Sequence, residues 1–193
     1  MSLMKAAARR IPGLRRLDAR GRLLGLTPSN AVCAEIGVWK GAFTERVLRQ
    51  RKPASYHLID PWAFQGDMPD RWYGGAIADG QGYMDAIHDD IQQRFGTLPN
   101  VTIHRSPSVE AAAEFDDDYF DWVYIDGDHS YEAVLADLEC YAPKVKSGGW
   151  LLGDDFLWGG DSLPVKRAVE EFVASGRAEF AQRFDQQFAL RRL

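Results

Sequence analysis

From Ala31 onward, short apolar runs alternate with stretches of helical periodicity, a pattern that predicts βα units around a mostly parallel sheet. Residues 32–38 read as a first strand, and residues 41–51 as the helix after it. Residues 55–60 are a second strand and residues 100–104 a third, with a helix over 83–95 between them. Residues 120–126 make a fourth strand and residues 148–153 a fifth. The helix joining them runs from Tyr131 to about Lys146, with Val134, Leu135, Leu138 and Tyr141 at i, i+1, i+4 and i+7. A further helix spans 164–175, with Gly176 as its stop. Residues 179–184 and 187–192 are strand-like and joined by a very short turn, which implies an antiparallel pair. The expected fold class is therefore α/β, a doubly wound, mostly parallel sheet with a C-terminal antiparallel hairpin. An ordinary dinucleotide-binding sheet ends on parallel strands instead.

One connection breaks the rhythm. Residues 61–82 carry Trp62, Phe64, Trp72 and Tyr73 among Gly66, Gly74, Gly75, Gly80 and Gly82, and loops longer than about 12–15 residues in a compact domain are usually functional or disordered. The aromatic content predicts a mobile lid, or alternatively a loop whose rings plug the core.

With 193 residues, 46% hydrophobic and 12% aromatic, the chain can bury one sizeable core. We expect a basic N-terminal segment over 1–28 and one domain over 29–193. Met1-Ser2-Leu3 ahead of Met4 reads as a vector-derived remnant. The next stretch holds Lys5, Arg9, Arg10, Arg15, Arg16, Arg20 and Arg22 against Asp18 alone, interleaved with leucines, and is expected to be a helix lying with one side on the domain. The whole molecule carries 23 Lys+Arg against 28 Asp+Glu, a net −5, which disfavours DNA and RNA as general partners. Cys33 and Cys140 lie far apart and form no metal or redox pair. No apolar run approaches the roughly 20 residues of a membrane span, and no secretory signal is visible, so a cytoplasmic protein is expected. A homo-oligomer is compatible with this composition.

Residues 35–41, Glu-Ile-Gly-Val-Trp-Lys-Gly, fall at the passage from first strand to first helix. Gly37 and Gly41 let backbone approach a ligand, and the helix start offers free N–H groups. The dinucleotide pattern would need glycine where Glu35 stands; a carboxylate there repels phosphate and suits a cationic amino-acid ligand. Asp60 ends the second strand, where an acidic side chain reaches a ribose diol in nucleotide-binding α/β folds. Asp126, Asp128, Asp154 and Asp155 follow the ends of the fourth and fifth strands, which are neighbours in this topology. Crowded carboxylates repel unless a cation joins them, and oxygen-only ligands select Mg²⁺ or Mn²⁺. The bland alternative is turn formation at Asp126-Gly127, helix capping by Ser130 and solvation of Asp155.

The Glu-x-Gly-x-x-x-Gly element, with Asp121-Trp-Val-Tyr-Ile-Asp126-Gly-Asp128-His129-Ser130-Tyr131, Asp137-Leu138, Gly148-Gly149 and Asp154-Asp155 after it, resembles the class I S-adenosylmethionine-dependent methyltransferases from about Ala31 to Leu193. Within them it is similar to the small-molecule O-methyltransferase branch that includes antibiotic-sugar (macrocin- and novobiocin-type) enzymes. The resemblance implies a Rossmann-like sheet, with Glu35 and Gly37 near the methionine part of the cofactor and Asp60 on the ribose hydroxyls. It implies Ser106 and Ser108 near the adenine, with Gly41 and Asp126 completing the cofactor site. It also implies a metal on Asp126, Asp154 and Asp155, with Asp128 and His129 left for proton transfer; His129, with an unperturbed pKa near 6.5, is the better base. The expected activity is metal-assisted O-methylation of a small hydroxylated acceptor. Catechol-type enzymes pair Asp with Asn where this chain has Asp154-Asp155, and antibiotic-sugar relatives carry added helices before the domain, so neither supplies the acceptor's identity. RNA ribose methylation and an inactive cofactor-binding fold are the alternatives. No Asn-Pro-Pro-Tyr, Asp-Pro-Pro-Tyr or Pro-Cys element is present for base methylation.

Overall fold

The structure, a computed structural model, describes residues 19–66, 72–76 and 78–193. Expectations for residues 1–18, and for the part of the 61–82 connection at 67–71 and 77, lie outside the described residues. The elements are β1 (Val32–Ile36), α1 (Ala42–Arg51), β2 (Ser55–Ile59), α2 (Gln81–Phe95), β3 (Val101–His104), α3 (Ser108–Ala112), β4 (Phe120–Ile125), α4 (Tyr131–Tyr141), β5 (Val145–Gly153), α5 (Pro164–Ala174), β6 (Ala178–Phe184) and β7 (Gln187–Arg192). The sheet has seven strands in the order β3-β2-β1-β4-β5-β7-β6. β7 runs antiparallel to both of its neighbours, whereas the pairs β1–β2, β1–β4, β2–β3 and β4–β5 are parallel. This is the Rossmann-like sheet with a closing antiparallel hairpin that the hydropathy pattern predicts.

Both faces are covered, which is why β4 reads as an apolar run from Trp122 to Ile125. On one face Ala34, Ile36, Val123, Ile125 and Leu151 meet residues of α3, α4 and α5. On the other, Cys33, Tyr56, Leu58, Trp122, Tyr124 and Leu152 meet α1, α2 and the helical residues 19–24, whose Leu23 and Leu24 are fully buried.

Several features differ from expectation. The strand expected over 32–38 stops at Ile36, because Gly37 turns to φ +85°. The helix expected to reach Lys146 ends at Tyr141, and Val145 and Lys146 begin β5 instead. Pro143 causes this, since it has no N–H to continue the helical ladder and its ring clashes with the carbonyl one turn back. Ser108 opens a short helix, α3, that five residues of weak periodicity do not announce. In the long connection Trp62 is fully buried, Phe64 is exposed, and residues 72–76 form a wide helical turn broken at Tyr73 and Gly74.

Candidate active site

The loops after β1, β2, β4 and β5 meet at the carboxyl end of the sheet. Gly37 is held by its N–H, which donates to the Ile59 carbonyl at 2.9 Å, while the Asp126 N–H donates to the Ile36 carbonyl at 2.8 Å. A Cβ at Gly37 would lie 2.1 Å from the Asp126 carbonyl oxygen, so the loops after β1 and β4 can touch only through glycine. Gly41 caps α1 at φ +73°, and a Cβ there would reach within 2.8 Å of both Ile91 and Phe95.

Asp60 is buried, and both of its oxygens accept hydrogen bonds. The Trp39 N–H donates to Oδ2 at 2.8 Å, and the Trp62 N–H to Oδ1 at 2.8 Å. The Tyr73 hydroxyl also donates to Oδ1. Burial raises its pKa against the pull of these donors. Glu35 is buried under the same loop, accepting from the Thr44 hydroxyl at 2.8 Å and from the Tyr56 hydroxyl. Burial dominates there and pushes its pKa up to about 8. Ser106 has an exposed hydroxyl bonded only locally, to the Pro107 carbonyl. Ser108 turns to the buried Asp137, whose pKa burial raises to about 6.

After β4 and β5 the carboxylates are shared between Arg20 and His129. Arg20, from the helical residues 19–24, reaches Asp154 through Nε at 3.1 Å and through Nη2, and the same Nη2 lies 3.0 Å from Asp126 Oδ2. Asp154 further accepts from the Asp155 N–H at 2.7 Å and from the Gln187 amide, with the Tyr124 hydroxyl 3.4 Å away. The His129 ring stands between the other two, its Nε2 3.5 Å from Asp126 and its Nδ1 3.5 Å from Asp155. Burial lowers the His129 pKa, but the contact with Asp126 and the charges of Asp126, Asp155 and Asp154 outweigh it, and the net shift is upward. Asp126 itself rises to about 6, burial being the main cause. Asp128 accepts from the Ser130 N–H at 2.8 Å, and Ser130 caps α4.

Of the expected metal ligands, Asp126 and Asp155 face His129, while Asp126 and Asp154 share Arg20 and Asp154 also meets Gln187 and Tyr124. Donor atoms of Asp126, His129 and Asp155 all lie within 4.8 Å of one another, a spacing that admits a cation. A protonated imidazole between two carboxylates meets the same electrostatic demand.

Residues 34–156, well over half of the chain, match the family model described as Methyltransferase domain. The chain belongs to this methyltransferase family. No curated protein sequence matches the methyltransferase. Among solved structures it resembles a protein of Corynebacterium glutamicum (15% identity, TM-score 0.63, covering 100% of this chain and 90% of that one). It also resembles a candidate caffeoyl-CoA O-methyltransferase of Staphylococcus aureus (14%, TM-score 0.62, 92% and 83%). A third is a candidate methyltransferase of Streptococcus mutans solved in complex with SAH (12%, TM-score 0.58, 93% and 98%). At these identities the likeness is one of fold.

Two site residues of the methyltransferase escape sequence reasoning. Tyr73 lies in a connection whose pattern predicts only a lid or a plug, and Arg20 is one of seven basic residues in a segment expected to lie with one side on the domain, with no role in the site. The one signal for Arg20 was its setting one turn before the Leu23-Leu24 pair, which marks its segment as able to pack.

Proposed function

We propose that this methyltransferase moves the methyl group of S-adenosylmethionine to a hydroxyl of a small molecule. The observation that carries the reading is His129 held between Asp126 and Asp155 at 3.5 Å on each side, at the mouth of the Gly37 turn. When bound, the cofactor supplies a methyl group on a sulfonium, which needs only in-line attack. Gly37 lets the loops after β1 and β4 close on one another, Gly41 opens α1 against Ile91 and Phe95, Asp60 offers a carboxylate to the cofactor's ribose hydroxyls, and Glu35 lies beneath the loop that carries both glycines.

The acceptor hydroxyl is a weak nucleophile until its proton leaves. His129 is the group for that step: its neutral form takes the proton, and Asp126 and Asp155 then stabilise the imidazolium. Asp128 is less suited, because its carboxylate is committed to the Ser130 N–H. Trp158, half exposed and edge-on to His129 with ring centroids 5.5 Å apart, offers an apolar wall to the acceptor. A divalent ion on Asp126, Asp154 and Asp155 does not fit these side chains, since the Asp154 oxygens already accept from Arg20, Gln187 and the Asp155 N–H.

The test is release of S-adenosylhomocysteine from S-adenosylmethionine in the presence of a panel of phenols, catechols and sugars. Turnover should appear with a hydroxylated acceptor, and His129→Ala should lower it roughly 10²–10⁴-fold. The rate should climb with pH as His129 loses its proton, with the limb centred above the ordinary 6.5. Transfer to amines or thiols alone, or an unimpaired His129→Ala enzyme, would refute the assignment.

A further inference from the structure

We infer that Arg20 is the resident counter-cation of the Asp126–Asp154 pair, standing where a divalent ion would stand and fixing the two carboxylates relative to one another. Two carboxylates at the ends of adjacent parallel strands, Asp154 only 6% exposed, repel one another and call for a positive partner between them. The chain provides one from its own N-terminal side. The guanidinium fork spans the pair, with Nε and Nη2 on one oxygen of Asp154 and Nη2 on Asp126. Arginine suits this task because its planar donors match carboxylates and its charge does not titrate.

The delivery is rigid. Ala19, Leu23 and Leu24 of the same helical segment are buried in the core beneath the sheet. The guanidinium lies 5.8 Å from the Phe43 ring centroid, and Phe43 stacks on Tyr124 at 3.9 Å. Tyr124 and Gln187 in turn bond each other at 3.0 Å and close the far side of Asp154. Mg²⁺ or Mn²⁺ at this pair would need near-octahedral oxygen ligands at about 2.0–2.1 Å, so it would have to expel Arg20 and turn Asp154 away from Gln187. Arg20 is therefore a positioning residue, and the pair and a metal ion compete through it. The inference does not depend on the acceptor or on the transfer chemistry.

The experiment is a Mn²⁺ titration of the full chain, read by electron paramagnetic resonance of the free ion, on wild type, Arg20→Gln and Asp154→Asn, with circular dichroism to establish folding. Wild type should show no saturable binding below the millimolar range, and Arg20→Gln should gain affinity at least about tenfold. Micromolar binding to wild type that Asp154→Asn abolishes would overturn the inference, and this arm holds even if Arg20→Gln fails to fold. A folded Arg20→Gln protein that binds Mn²⁺ no better than wild type would overturn it as well.

Discussion

Single hydrogen bonds decide how much of the site is ready for ligands. The Tyr73 hydroxyl takes one of the acceptor positions of Asp60, the carboxylate proposed to hold the ribose. A hydrogen bond to a charged group contributes about 1.5–3 kcal/mol, so Tyr73 is a real competitor of the cofactor. Tyr73→Phe is expected to tighten S-adenosylmethionine binding by up to about tenfold, a change of roughly 1.4 kcal/mol, as measured by calorimetry. Unchanged or weaker binding would mean that the hydroxyl assists the ribose. Asp60 was legible from its place at the end of a strand, because strand ends on this side of a parallel sheet face the ligand cleft. Tyr73 was not, because nothing local ties position 73 to position 60 until the wide turn at residues 72–76 brings the ring back.

Among elements, the helical residues 19–24 pack against the sheet and carry Arg20 into the site. Their apolar side is core: Leu23→Ala, at a fully buried position, should cost about 2–5 kcal/mol, read as a lower midpoint in urea unfolding. A cost near zero would mean that the segment merely rests on the surface. The strands were readable because alternation and apolar runs are short-range signals, and α1, α2 and α5 because their apolar spacing and stops are local too. The end of α4 could have been read from Pro143. Arg20 could not, since its partners lie 106 and 134 positions away and charge carries no information about pairing at that range. The separation of Asp154 from Asp155 was equally hidden. It follows from the positive φ of Asp155 and from Gln187 on β7, an element that sequence reasoning read only as one arm of the closing hairpin.

At the scale of the whole molecule, buried acids set the response to pH. Glu35 has an ordinary value of 4.5 and is raised to about 8, so its contribution to stability is fully present below about 4.5 and is lost as pH rises through 8. Asp126 and Asp137, raised to about 6, have lost theirs by pH 7. His57 is lowered to about 4, by burial first and then by His104, and its contribution is present above 6.5 and lost as pH falls through 4. Between about pH 6 and 8 the slope is thus set by Glu35 together with His129, whose raised pKa also loses its contribution as the proton leaves. The wild-type melting temperature should fall across that window, and Glu35→Gln should flatten the fall; equal slopes would show that Glu35 does not carry it. The distribution of aromatic rings has a photophysical consequence. Trp39 and Trp62 are joined to one another and to Asp60, Trp158 stands against His129, and Trp122 sits deep in the sheet. An indole next to an imidazole is quenched when the imidazole gains its proton, so the part of the ultraviolet emission that Trp158→Phe removes is expected to fall as the pH drops and His129 is protonated; a pH-independent difference between the two proteins would mean that the rings are not in contact in solution.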